Sequence, residues 1–361
     1  MWLLLRQQRR HSRQRRVPLL LPYERILNAD NVLQLHQKWA ASTGAIIFSS
    51  PVVANGIIYV GSDDNKLYAF DAASGQPKWV TVVKGDIRSS PAVANGLIYI
   101  GADNKLYAFD AASGQQKWVV SLGGSSVAIA AYFIHSSPAV VNGLVYIGSF
   151  DYKLYAFDAT SGQQRWVTSI GDIITSSPAI ANGLVYVGAM NGKLYALDAF
   201  SGVQKWAATT GGAINGSSPA VANGLIYVGS ENNMLYALDA FSGVQKWVTA
   251  TRAIINSSPA VANGLVYVGS QDFKLYAFDA FSGQQRWIAA TNGMINASPT
   301  VANGVVYIGS LDDNLYAFDA TTGQRKWTAH TGNSIYSSPV VVNGVVYVGS
   351  DDHICYAFSL G

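Results

Sequence analysis

The sequence predicts an all-β fold: an eight-bladed β-propeller of four-stranded antiparallel blades, closed by the N-terminal strand pairing with the C-terminal blade. Three observations predict it. One block of about 40 residues recurs along the chain, as in propellers and arrays. Turn chemistry cuts each block into four short strands. The two chain ends carry complementary fragments of one further block.

The repeat comes first. The block Ser49 to Trp79 returns seven times with few changes, the last time truncated. Its proline stands at Pro51, Pro91, Pro138, Pro178, Pro219, Pro259, Pro299 and Pro339, in steps of 40 residues except for one of 41 and one of 47. Inside each block, apolar runs rich in Tyr, Val, Ile and Phe read as strands. Asn-Gly, as at Asn55-Gly56, marks a type I′ hairpin, whose two central residues both need positive φ. A polar turn such as Asp63-Asp64-Asn65 follows, and a third turn carries Ser-Gly or Thr-Gly. Four strands joined by tight turns make one propeller blade.

Closure explains the ends. Lys38-Trp39 is a last strand without a block, and the final block stops at Tyr356-Ala357-Phe358 without its own last strand. Pairing the two fragments completes an eighth blade and removes the exposed edges of an open array. The predicted domain is 23–361.

Composition excludes several other classes. The chain is 49% hydrophobic and 12% charged, so it can bury enough surface to fold. The single cysteine, Cys355, rules out a disulfide framework. The longest apolar run, Val127 to Ile134, is far short of the roughly 18 residues of a membrane helix. Residues 1–25 hold seven arginines against one glutamate, and without them the body is nearly neutral. Tails of this kind bind nucleic acid or anionic lipid, or are disordered. Residues 1–22 are expected to be a disordered basic tail. They lack the apolar core, about 7–15 residues long, of an export signal. No nucleic acid is expected on the propeller, and a monomer is expected.

The third turn lies in Ala-x-Asp-x-x-x-Gly-x-x-x-Trp. It reads Ala69, Asp71, Gly75, Trp79 in the first block and recurs through Ala317, Asp319, Gly323, Trp327. These seven copies resemble the tryptophan-docking motif of the pyrroloquinoline quinone (PQQ) repeat family, which includes quinoprotein dehydrogenases and non-catalytic propellers. The resemblance covers roughly residues 23–361. It implies structural roles for Trp39, Trp79, Trp118, Trp166, Trp206, Trp247, Trp287 and Trp327, with each indole packed between blades. The segment Leu21 to Trp39 resembles the lead-in strand of exported members, which implies a secreted or cell-envelope location.

A quinoprotein dehydrogenase would further imply PQQ, Ca²⁺, a catalytic aspartate and two adjacent cysteines. One cysteine and two glutamates, Glu24 and Glu231, cannot supply that set. Calcium asks for about six to eight oxygen ligands. Turn aspartates such as Asp151, Asp272 and Asp312 recur as hairpin residues, and the five histidines show no metal-ligand spacing. No catalytic residue and no cofactor are therefore expected. A PQQ- and Ca²⁺-dependent alcohol or sugar dehydrogenase, or a degenerate relative, is the alternative.

Function is expected where the blocks differ. The position before Ser-Ser-Pro reads Phe48, Arg88, His135, Thr175, Gly216, Asn256, Asn296 and Tyr336. Each lies on the link to an innermost strand, so together they would ring one mouth of the channel as a ligand site. Arg88 and His135, as neighbouring cations, favour a small anionic ligand, with a protein or peptide as the other candidates. The longer link before Pro138 carries Tyr132, Phe133 and Ile134, an apolar partner loop or a packed-down plug. A non-catalytic binding scaffold is the expected function.

Overall fold

The computed structural model describes residues 26–123 and 135–361. They form eight four-stranded antiparallel sheets arranged as an eight-bladed propeller. In blade 1 the strands run Val52–Ala54, Ile57–Ser62, Lys66–Asp71 and Pro77–Val82, from the channel outward. Blades 2 to 7 repeat this order, and blade 8 joins Val340–Val342, Val345–Gly349 and Ile354–Ser359 to the N-terminal His36–Ser42. That last strand pairs antiparallel with Ile354–Ser359, from His36 opposite Ser359 to Ser42 opposite Ile354. The basic tail, residues 1–22, lies outside the described residues.

The Asn-Gly turns take the backbone that their sequence demands: Asn55 has φ 50° and Gly56 φ 72°. The middle two strands of each blade are buried on both faces, because every sheet is sandwiched between two others. Tyr59, Leu67 and Ala69 of blade 1, for example, pack in one cluster with Ile98, Ile100, Tyr107 and Phe109 of blade 2. The core is thus eight apolar layers between blades rather than one central mass.

Polar contacts lock the layers. The aspartate of each third turn accepts from the two backbone N–H groups that follow it, as Asp71 does from Ala73 and Ser74 at 3.1 Å each. The next residue's carbonyl then receives two donors from the preceding blade. Trp79 Nε1 and Tyr59 Oη both donate to the Ala111 carbonyl, at 3.2 and 2.9 Å. The turn glycine sits against that indole. A Cβ on Gly114 would lie 2.5 Å from the Trp79 ring, so only glycine fits. Trp39 docks in the same way on Ala72 and Gly75.

One junction departs from the rule. At blade 8 the third strand, Ile354–Ser359, is not followed by a third turn among the described residues. A single 3₁₀ turn, Val32–Gln34, takes its place, and Trp327 Nε1 donates to the Leu35 carbonyl at 2.9 Å. Leu27, Val32 and Leu35 bury beside Val305 and Phe358 to seal this gap. Among the described residues no helix is long and apolar enough to cross a membrane.

Candidate functional site

The mouth of the channel is built on a ring of serines. The serine before each repeat proline, preceded by a second serine in every block but the seventh (Ala297-Ser298-Pro299), donates its backbone N–H to the matching hydroxyl of the next blade. Ser50 donates to Ser90, and so on round to Ser338, which donates back to Ser50, at 2.8 to 3.0 Å. Eight bonds close a circle that fixes the innermost strands. The first serine ties its own blade: Ser49 Oγ accepts from Gly61 N–H at 3.2 Å.

Just before these serines, a buried isoleucine pins each of the seven links whose residues are described. Ile87 lies over Gly61 of the preceding blade, where a Cβ would come within 2.3 Å of it. The same fit repeats from Ile174 over Gly148 round to Ile47 over Gly349. The residue after the isoleucine is held at the mouth, which places Phe48, Arg88, Thr175, Asn256, Asn296 and Tyr336 in one ring. In blade 5 the link is one residue longer, so Asn215 follows the anchor Ile214. It occupies the place that alignment on Ser-Ser-Pro assigns to Gly216.

Neighbouring members of the ring touch. Phe48 and Tyr336 meet edge to face with centroids 5.0 Å apart. The Arg88 guanidinium stands 4.9 Å from the centre of the Phe48 ring. His135 packs on Phe150 at 5.7 Å. Thr175 is buried, and its hydroxyl accepts from Gly216 N–H at 3.1 Å, so it offers little to a ligand. Asn296 accepts from Gln271 Nε2 at 3.1 Å. Asn256 keeps a buried Oδ1 without a hydrogen-bond partner among the described residues.

A second tier comes from the turns between the second and third strands, which the sequence reading treats only as hairpins. Many turn aspartates do behave so: Asp312 accepts from the Tyr316 hydroxyl at 2.7 Å and from Asn314 N–H at 3.2 Å. Asp63 and Asp351 differ, because they stand one residue earlier in their turns and at the mouth. Arg88 donates through Nε and Nη2 to Asp63 Oδ2 at 3.2 and 3.0 Å, and lies 3.6 Å from Asp86. Like Asp151 and Asp272, Asp63 and Asp351 each leave a buried Oδ1 without a hydrogen-bond partner among the described residues.

The electrostatics of the mouth bear on the expected pair of cations, Arg88 and His135. Desolvation and the adjacent Arg88 charge lower the His135 pKa to about 4, although the residue is exposed. It is neutral at neutral pH. Arg88 is already paired. Desolvation, then the nearby Asp63 and Asp352 carboxylates, push Asp351 up to about 6. Desolvation also raises Asp63, against the opposing pull of Arg88. Around Arg88 stand the carboxyl groups of Asp63, Asp86 and Asp351, and Glu231, at the same turn position as Asp63 and Asp351, accepts from the ring residue Asn215 at 2.9 Å. Tyr132, Phe133 and Ile134 lie outside the described residues.

A PQQ–calcium centre would ask for adjacent cysteines and several carboxylates. Cys355 is fully buried in a strand with its thiol pushed up to about 12 by desolvation. No group of three or more His, Cys, Asp or Glu side chains among the described residues is placed to hold a metal.

Comparison with known proteins identifies the family and includes both scaffold and dehydrogenase folds. Residues 30–173 and 155–361 match the family model described as outer membrane protein assembly factor BamB. Among solved structures, BamB from Moraxella catarrhalis is 19% identical with a TM-score of 0.75, covering 90% of this chain and 97% of its own. Quinohemoprotein alcohol dehydrogenase from Comamonas testosteroni is 18% identical with a TM-score of 0.79, covering 94% and 78%. The computationally designed Ika8 protein is 17% identical at a TM-score of 0.75, covering 90% and 100%. At these identities the likeness is one of fold. No curated protein matches the sequence.

Proposed function

Because the chain belongs to the family of the outer membrane protein assembly factor BamB, we propose that it is a non-catalytic, envelope-associated scaffold whose channel mouth receives a protein segment. One observation carries this reading. The positions at which otherwise uniform blades differ are pinned together round one opening. The Phe48–Tyr336 pair offers an apolar face, and Asn296 and Asn256 on the next links round the ring place amides beside it for the backbone of an extended segment, while Asn215 further round donates to Glu231 at 2.9 Å. Few well-placed aromatics dominate such sites. The surplus of carboxylates over Arg88 favours a neutral or basic segment over the small anion expected from sequence.

Fluorescence anisotropy with a library of unstructured peptides tests the proposal. Phe48→Ala and Tyr336→Ala are expected to weaken the best binder at least about tenfold, or about 1.4 kcal/mol. Lys205→Ala, on the opposite face, is expected to leave it unchanged. Equal losses in all three variants would place the binding elsewhere. Basic peptides are expected to outrank acidic ones of equal length. The non-catalytic half has its own check: purified protein given PQQ, Ca²⁺ and an electron-accepting dye is expected to turn over no primary alcohol or sugar. Turnover that depends on added PQQ would overturn it.

A further inference from the structure

The face opposite the mouth carries an apolar row that the mouth reading leaves unused. Each blade's first and third turns share that face, as the bond from Ala72 N–H to the Gly56 carbonyl shows. On the third turns of three successive blades stand Phe200, Phe241 and Phe281, exposed by 87%, 68% and 67%. Val203 and Val244 flank the first two, each 58% exposed. The phenylalanine position is Ala73, Ala112, Thr160 or Thr321 in the other blades that have this turn, so the row is bounded on both sides. Nothing in the fold needs a phenylalanine there.

We propose that this row is a dimer interface that takes a second copy of the chain across a two-fold axis. Area is the first argument. Three phenylalanines at these exposures present on the order of 300–550 Å² of apolar surface, at the upper end of what a monomer leaves exposed. A stable interface buries about 800 Å² per partner, so the row supplies about half and the surrounding turns the remainder. Charge is the second argument. The basic residues beside the row are each paired with the aspartate of their own turn: Lys205 with Asp198 at 3.6 Å, Lys246 with Asp239 at 3.3 Å, Arg286 with Asp279 at 2.7 Å. These three pairs leave the surface beside the row charge-balanced, so there two copies meet without like-charge repulsion. Symmetry is the third. A row of three is self-complementary about its centre: a two-fold axis through Phe241 sets Phe241 on itself and Phe200 on Phe281 of the partner.

Sedimentation equilibrium of the full chain, up to about 100 µM, reads the outcome directly. The wild type is expected to show a reversible dimer that survives high salt, because apolar contact is not screened. The triple variant F200A/F241A/F281A is expected to weaken it at least about tenfold. Its circular dichroism should stay unchanged, since alanine already serves at this position in blades 1 and 2. Phe241→Asp, which opposes two charges across the axis, is expected to dissociate the dimer more fully than Phe200→Asp. A monomeric wild type, or a triple variant that dimerises as the wild type does, overturns the proposal. So does a monomer that floats with phosphatidylcholine vesicles in a phenylalanine-dependent way, because the row's occupant is then lipid.

Discussion

Two residues at the mouth hold charge states that a free side chain would not. Asp351 keeps its proton up to about pH 6, against 3.8 for an ordinary aspartate, through desolvation and the Asp63 and Asp352 charges. Between those two pH values the folded state binds more protons than the unfolded one. The contribution of Asp351 to stability therefore falls as pH rises through that window and is flat above it. His135 slopes the other way: with a folded pKa near 4 against 6.5, its contribution rises with pH. A difference between two proteins isolates Asp351. Asp351→Asn is expected to raise Tm relative to the wild type at pH 7, with the gain vanishing at pH 4. Thermal melts across that range check it, and equal Tm values at pH 7 would remove the charge crowding on which the mouth's preference for neutral or basic segments rests. None of this was legible in the residues taken singly. Asp63 and Asp351 read as turn aspartates, and the pairing of Asp63 with Arg88 spans 25 positions and two blades.

At the scale of the element, the docked turn is the repeating joint. Its aspartate, glycine and tryptophan were legible because seven copies at fixed spacing leave only the invariant geometry visible. The tyrosine that shares the alanine carbonyl was not, since Tyr59 and its equivalents look like ordinary strand residues until the next blade is in place. Asn215 was missed for a related reason: the blocks align on Ser-Ser-Pro, whereas the link is pinned by the isoleucine before it. The joint makes a coupled prediction. Trp247→Ala is expected to cost about 3–5 kcal/mol, as for other large aromatics removed from cores. Gly283→Ala forces a methyl to 2.7 Å from that indole at φ +71° and is expected to cost more than about 1 kcal/mol. Removing the indole removes the clash, so the double variant should lose less than the two single losses added together. Urea unfolding of the four proteins gives the cycle, and strict additivity would mean that glycine and indole do not meet.

For the whole molecule, the consequential contact is the one that makes an eight-membered ring from a linear chain. The bond from Ser338 to Ser50 spans 288 positions, and the pairing of His36–Ser42 with Ile354–Ser359 joins the two ends. The pairing was legible because the end fragments complement one another. The 3₁₀ turn before it was not, because it carries no motif and stands in for a third turn that the described residues of the last blade do not include. The N-terminal segment thus has two duties: Leu27, Val32 and Leu35 fill the gap at blade 8, while Trp39 docks onto blade 1. Removing the chain through Ser42 should expose the edge of Ile354–Ser359, leave Trp327 Nε1 without its carbonyl and strip Ala72 of one donor. An exposed strand edge recruits other chains, so the truncated protein is expected to aggregate and to melt well below the full chain. Because the missing piece is a strand with a fixed register, a synthetic peptide of residues 26–42 added in trans is expected to restore a monodisperse species and most of the lost Tm. A peptide with Trp39→Ala should restore less, since it supplies the edge pairing without the indole that docks on blade 1. Light scattering and thermal melts decide it: truncated protein that behaves like the full chain, or that no peptide rescues, would mean that the ring is closed by something other than this strand.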